Sequence, residues 1–246
     1  MTVAIPRLRV FAGPNGSGKS TLKDRLPPEW LGVYVNADEI EKTIRAKGRL
    51  PLSEFSVSCT AAELKVFLKA STLLTQQKLL ADVDAITLEG DDVVIQGLTV
   101  NSYHASVLAD FIRQKLLGSK TSFTFETVMS SLDKVTFICE AQSAGFRTYL
   151  YYVATEDPEI NVSRVQHRVA TGGHPVPIDK IISRYERSLG LLSAAVACTD
   201  RAYVFDNSSD QRVWVAEVTG GVELQMRSDS MPQWFKTALW DEFEAN

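Results

Sequence analysis

The 246-residue chain is poor in cysteine: Cys59, Cys139 and Cys198 stand far apart, with no C-x-x-C pair. So sparse and odd-numbered a set excludes a disulfide framework and predicts reduced core thiols in a cytoplasmic protein. Histidine is equally scarce. His104, His167 and His174 form no metal-ligand spacing with the cysteines, so no zinc site is expected. A basic excess is missing too: 26 Lys and Arg face 30 Asp and Glu, a formal net charge of −4. That balance argues against a protein that coats nucleic acid. No apolar run reaches the ~20 residues a membrane helix needs, and "MTVAIPRLRVFAG" lacks a basic segment leading a long apolar one. What is present is ordinary globular composition, 45% hydrophobic and 23% charged, and enough length for one large α/β domain with a sizeable core.

Apolar periodicity gives strands at 7–12, 31–39, 122–126, 147–154 and 201–206. Between them helical spacing covers 18–26, the stretch after the second strand to about Lys47, 102–117, 131–144, 158–171 and 178–198. Strands alternating with helices predict an α/β fold of the P-loop kinase type, three-layered, with a mostly parallel central sheet. A Gly48–Pro51 break, a helix over 60–80 and a hairpin around Gly90-Asp91-Asp92 interrupt that rhythm, so about 50–100 reads as an insertion in a single 1–246 domain. A hairpin at 213–226 and an amphipathic helix at 232–243 close the chain.

One motif carries chemistry in the right context. Gly13-Pro14-Asn15-Gly16-Ser17-Gly18-Lys19-Ser20-Thr21 follows a strand and opens a helix. Glycines let successive backbone N–H groups turn toward phosphate oxygens, and the helix adds its unpaired N–H groups. Lys19 would reach the β- and γ-phosphates, and the Ser20 hydroxyl would hold Mg²⁺. The cofactors expected are therefore ATP and Mg²⁺. The bland alternative is a glycine-rich turn, which the strand–loop–helix context disfavours.

Ligands of open α/β sheets bind beyond the carboxyl ends of the strands, so polar residues there are the next candidates. Asp38 would take a proton from a substrate hydroxyl or help position Mg²⁺; alternatively Asp38-x-x-Glu41 is a capping box. Glu126 and Thr127 would bind substrate hydroxyls, or form a solvated strand end. Arg164 and Arg168 share one helix face and Arg184 and Arg187 another, joined through Gly172-Gly173. That reads as a lid bringing arginines over a triphosphate, or as a solvated hairpin. "VFDNS" at 204–208 would rest a nucleobase or make an Asx turn, and His174 would touch phosphate or merely turn the chain. No strand carries the long apolar run plus Asp-Glu of a motor ATPase, and no GTPase base-specificity motif is present.

Together "AGPNGSGKST", "NADEI", "FTFETVMSS", "RVQHRVATGGHPVPIDKIISRYERSL" and "VFDNS" resemble the zeta toxin family of P-loop kinases, over about 1–48 and 102–208. The resemblance implies a parallel five-stranded core and ATP-dependent phosphorylation of a hydroxyl of UDP-N-acetylglucosamine. It aligns Asp38 with the general base, Glu126 with the acid that binds the nucleotide sugar, and Arg168 and Arg184 with the phosphate-clamping arginines, Arg164 and Arg187 being the alternatives. It also implies a small helical antitoxin as partner. Compact relatives have far less at 50–100, so this stretch bears on substrate identity. Two other readings stay open: a kinase for another small metabolite or nucleotide, and a nucleotide-dependent binding or regulatory module.

Overall fold

A computed structural model describes residues 4–172 and 175–244. Gly173 and His174, and with them the phosphate contact considered for His174, lie outside the described residues. In chain order the strands are β1 (Arg7–Ala12), β2 (Val33–Val35), β3 (Arg49–Pro51), β4 (Ile86–Glu89), β5 (Asp92–Ile95), β6 (Phe123–Thr127), β7 (Arg147–Ala154), β8 (Arg201–Asp206), β9 (Val213–Thr219) and β10 (Glu223–Met226). They fall in two compact units, one of residues 1–31 with 124–246, the other of residues 32–123.

In the first unit the strands run in the order β10-β9-β8-β7-β1-β6. The pairs β1–β7 and β7–β8 are parallel, while β8–β9 and β9–β10 are antiparallel, so a hairpin extends the parallel part. Phe11, Leu22, Tyr151 and Val153 are buried together, with Tyr149, Tyr203 and Phe205 packed on them. Phe11 stacks on Tyr151 at 4.8 Å and Tyr151 on Tyr203 at 5.1 Å, an aromatic row across three adjacent strands. Burying each such ring contributes about 1.5–3 kcal/mol, which fixes the strand that feeds the glycine-rich loop. The α/β class with a mostly parallel sheet is as the sequence predicts.

Two expectations for this unit are corrected. Cys139 and Cys198 are not reduced thiols: they form a disulfide, their Cα atoms 4.8 Å apart. Fifty-nine residues separate them in sequence, and only the packing of the helices Leu132–Ser143 and Leu192–Ala197 brings them together. Cysteine usage therefore no longer argues for a reducing compartment; Cys59 alone is free. The helix expected over 178–198 is two, Ile178–Gly190 and Leu192–Ala197, because Gly190 propagates a helix poorly and Leu191 turns back onto the Ser188 carbonyl at 3.3 Å.

The second unit holds an antiparallel sheet, β3-β5-β4. The stretch Arg49–Pro51 is thus a strand, not a break: Gly48 ends the preceding helix at φ 68° and Arg49 pairs with Val94. The helix expected over 60–80 divides into Ala61–Lys69 and Thr72–Gln76, because Ser71 starts a new cap by accepting the Leu74 N–H at 3.2 Å. Leu50, Leu64, Leu68, Leu74 and Val83 are buried in this unit. Among the described residues no helix is long and apolar enough to cross a membrane.

Candidate active site

The glycine-rich loop joins β1 to the short helix Lys19–Lys23. None of its three glycines can be replaced cheaply, and Gly13 and Gly18 show why. Gly13 sits at φ 137°, and a Cβ there would overlap the Val153 carbonyl. Gly18, at φ 95°, would put a Cβ 2.5 Å from the Asn207 amide nitrogen. The loop backbone is in this way pressed against its neighbours in a positive-φ conformation that turns successive N–H groups to one side, as an anion cradle requires.

Lys19 is buried and its Nζ donates to the carbonyls of Gly13 at 2.9 Å and Pro14 at 2.8 Å. The ammonium thus folds over the loop it follows. Ser17 is fully buried, yet its hydroxyl has no hydrogen-bond partner among the described residues. A buried hydroxyl without a partner is costly unless a ligand supplies one. Ser20 directly follows Lys19, and its hydroxyl donates to both Glu126 carboxylate oxygens at 3.1 Å. Glu126 stands at the carboxyl end of β6, where the sequence places it. Thr127 accepts the Met129 N–H at 3.0 Å, so one lone pair of its hydroxyl shapes the following turn. Three requirements of a triphosphate and its divalent cation are met: a positive-φ cradle, a buried ammonium, and a hydroxyl–carboxylate pair of hard oxygens.

Side chains from outside the motif hold the loop. Asn161 donates to the Asn15 carbonyl at 2.5 Å, and Asn207 to the Ser17 carbonyl at 2.7 Å. Arg212 donates to the Gly18 carbonyl at 3.0 Å and to the Thr21 hydroxyl at 2.5 Å. Burial, with Arg25 and Arg164 nearby, pulls the Arg212 guanidinium below its ordinary value, though an arginine stays protonated. Sequence pattern marks none of these three as a loop contact; "VFDNS" includes Asn207, but as part of a nucleobase rest or an Asx turn. The turn exists, since Asp206 accepts from the Ser208 N–H at 3.2 Å and hydroxyl at 2.7 Å. Beside it a cavity of about 610 Å³ is lined by Thr21, Arg25, Phe205, Asn207, Arg212 and Trp214 among others.

The two arginine-bearing helices, Pro158–Ala170 and Ile178–Gly190, are fastened to the strand ends. Asn161 takes the Thr155 hydroxyl. Tyr185 donates to the carbonyls of Thr155 at 2.6 Å and Glu156 at 3.2 Å, and Ser188 to that of Val128 at 2.7 Å. Burial first, then the charges of Glu156, Asp157 and Asp206, pushes the Tyr185 hydroxyl well above its ordinary value. Arg164 donates to the carbonyls of Asn207 at 2.7 Å and Ser209 at 3.5 Å. Arg168 and Arg187 are exposed and Arg184 is half-buried. The structure therefore brings Lys19, Ser20, Thr21, Glu126 and Arg164 into one hydrogen-bonded neighbourhood.

Asp38 belongs to the second unit, in the first turn of the helix Ala37–Lys47. The capping box drawn from Asp38 and Glu41 is corrected: Asn36 is the cap, accepting the N–H of Asp38 at 2.8 Å and of Glu39 at 3.3 Å. Glu41 instead pairs with Arg45 at 2.6 Å. The exposed Asp38 carboxylate is thus not the cap.

Comparison with known proteins bears on the fold and the family. The family profile described as Zeta toxin matches residues 91–219, more than half of the chain, including both arginine-bearing helices. An uncharacterised protein of Haemophilus influenzae is 24% identical over 175 residues, covering 71% of this chain and 89% of that protein. Among solved structures, the AvrRxo1-ORF1:AvrRxo1-ORF2 complex with sulphate ions aligns at a TM-score of 0.54 and 16% identity, over 92% of this chain. The chain spans only 62% of that protein's length. The PezAT toxin–antitoxin system of Streptococcus pneumoniae aligns at a TM-score of 0.51 and 12% identity, over all of this chain and 81% of its own. At such identities the structures share the fold. The chain belongs to the zeta toxin family of P-loop kinases.

Proposed function

We propose that this member of the zeta toxin family is an ATP-dependent kinase that phosphorylates a hydroxyl of a nucleotide sugar, UDP-N-acetylglucosamine. The observation that carries the reading is the buried Lys19 folded over a positive-φ loop whose Ser17 hydroxyl lacks a partner. ATP would supply the transferable phosphoryl group, and Mg²⁺ would neutralise charge as it moves. Gly13, Pro14, Asn15, Gly16, Ser17 and Gly18 hold the phosphate chain through their backbone, with Lys19 and Thr21 at its end. Ser20 offers its hydroxyl to the cation. The cavity beside Thr21 and Asn207 receives the nucleoside. Asp38 takes the proton of the acceptor hydroxyl, a role supported by the family motif "NADEI" and by its freedom from capping. Glu126 and Thr127 bind the acceptor. Arg168 and Arg184 steady the charge on the transferred group, while Arg164 secures the nucleotide side.

The likeness to PezAT, a toxin–antitoxin system, supports a small antitoxin as partner. The test of the reaction is incubation with ATP and UDP-N-acetylglucosamine followed by mass spectrometry. A singly phosphorylated sugar nucleotide is expected. ATP turnover without that product would sink the acceptor assignment and redirect the search to other hydroxyl metabolites.

A further inference from the structure

Three loop carbonyls are gripped from outside by side chains distant in sequence: Asn15 by Asn161, Ser17 by Asn207, and Gly18 by Arg212. The Gly18 carbonyl also accepts the Thr21 hydroxyl at 2.8 Å and the Leu22 N–H at 3.3 Å, so its direction is fixed by three donors. A peptide bond is planar, and among the described residues none is cis. In a trans peptide the N–H of the next residue points opposite to the carbonyl. Pulling the carbonyls of Asn15, Ser17 and Gly18 outward therefore turns the N–H groups of Gly16, Gly18 and Lys19 inward. The grips are themselves held. Thr155 fixes Asn161; Arg164 takes the Asn207 carbonyl at 2.7 Å, and the Asn207 N–H reaches the Ala154 carbonyl at 2.8 Å.

We propose that Asn161, Asn207 and Arg212 are positioning residues that set the inward aim of the phosphate loop's N–H groups, so that phosphate affinity is governed by residues outside the glycine-rich motif. This rests on the phosphate reading of the loop. Arg164 belongs to the same device one step further out, through the Asn207 carbonyl.

The test is calorimetric titration of the full chain with inorganic tripolyphosphate and with a non-hydrolysable ATP analogue, paired with amide spectra of Gly16, Gly18 and Lys19. Asn207→Ala and Arg212→Met are each expected to weaken both ligands by about tenfold, and by the same factor, because each frees one peptide plane. Arg212→Lys, which keeps the charge but not the fork, recovers part of that loss and serves where Arg212→Met does not fold. In the spectra, Asn207→Ala shrinks the ligand-induced shift at Gly18, and Arg212→Met that at Lys19, each leaving Gly16 as in the wild type. Weakening of the analogue with tripolyphosphate untouched would overturn the proposal, since the side chains would then be meeting the nucleoside. Equal loss of shift at all three amides would do the same, as mere loosening. A wild-type chain that binds neither ligand would take down the phosphate reading itself, a result distinct from wild-type binding that the variants fail to alter.

Discussion

The phosphate loop and the arginine hairpin serve the same triphosphate in the proposed reaction, yet they are built in opposite ways. The loop is held along its length: Asn161, Asn207 and Arg212 take its carbonyls, and Lys19 spans its start. Among the described residues, Asn161 and Arg164 in the first half of one helix and Tyr185 and Ser188 in the second half of the next hydrogen-bond the hairpin to the strand ends and the loops that follow them. Arg168 and Arg187 lie exposed beyond them. A site that binds a ground-state phosphate chain gains from donors fixed in advance, whereas groups that meet charge only as it develops need reach rather than rigidity. The loop suits affinity and the hairpin suits turnover.

Replacing Lys19 breaks the loop most severely. Lys19→Met should lower phosphotransfer turnover by about a thousandfold, roughly 4 kcal/mol, by removing the ammonium proposed to meet the phosphates. Measured product formation within tenfold of wild type would show that the loop is not the donor site. The disulfide bounds the other side of the comparison, because its 59-residue span contains β7 and both arginine-bearing helices. Replacing Cys139 and Cys198 by serine should cost about 3 kcal/mol of stability in denaturant melts, with nucleotide affinity little changed. Unaltered melting would mean the bond does not constrain the hairpin.

Two of the hairpin's arginines separate the roles. Arg184→Ala should cut kcat by about a hundredfold with KM for ATP nearly constant, as for a charge needed only in the transition state. Arg164→Ala should raise KM for ATP about fivefold and spare kcat, because its guanidinium holds Asn207 and, through it, the loop. Steady-state kinetics that reverse this pattern would exchange the two assignments.

How much of this the sequence discloses follows from the range of each interaction. The motif Gly13–Ser20 is legible because its chemistry is contiguous, and the arginine pairs because spacings of four residues (Arg164, Arg168) and three (Arg184, Arg187) put each pair on one face. The grips are illegible for the opposite reason: Asn161, Asn207 and Arg212 meet the loop across 146, 190 and 194 residues. Cys139 and Cys198 are hidden likewise, since parity and spacing say nothing about two helices that pack together. In the second unit the hairpin at Gly90-Asp91 reads from its turn residues, but β3 does not. Pro51 at its end looks like a breaker, although a strand of three residues tolerates proline at its terminus. Asp38 shows the remaining failure. Local pattern offered it as a cap, and Asn36, two residues earlier, has the better reach.

The smallest expected effect concerns the hairpin's foot. Tyr185→Phe removes the hydroxyl that donates to the Thr155 and Glu156 carbonyls, and should cost about 1 kcal/mol near neutral pH. Its pH dependence has a definite sign. The folded-state hydroxyl ionises at higher pH than an exposed tyrosine, because burial and the neighbouring carboxylates oppose its anion. The stabilisation is therefore complete below the unfolded value of about 10, and fades as pH rises beyond it and the unfolded chain alone loses the proton. The stability gap between wild type and Tyr185→Phe should stay constant up to that point and close above it. The buried Tyr151 titrates alike in both proteins and cancels from the difference, whereas Tyr152, whose ionisation the Tyr185 anion opposes, departs between them only where Tyr185 itself is ionised. Urea melts of the pair across that range measure it directly. A gap that widens with pH, or none at pH 7, would mean that Tyr185 does not tether the hairpin, and that the contrast between a loop held throughout and a hairpin held at its base lacks one of its supports.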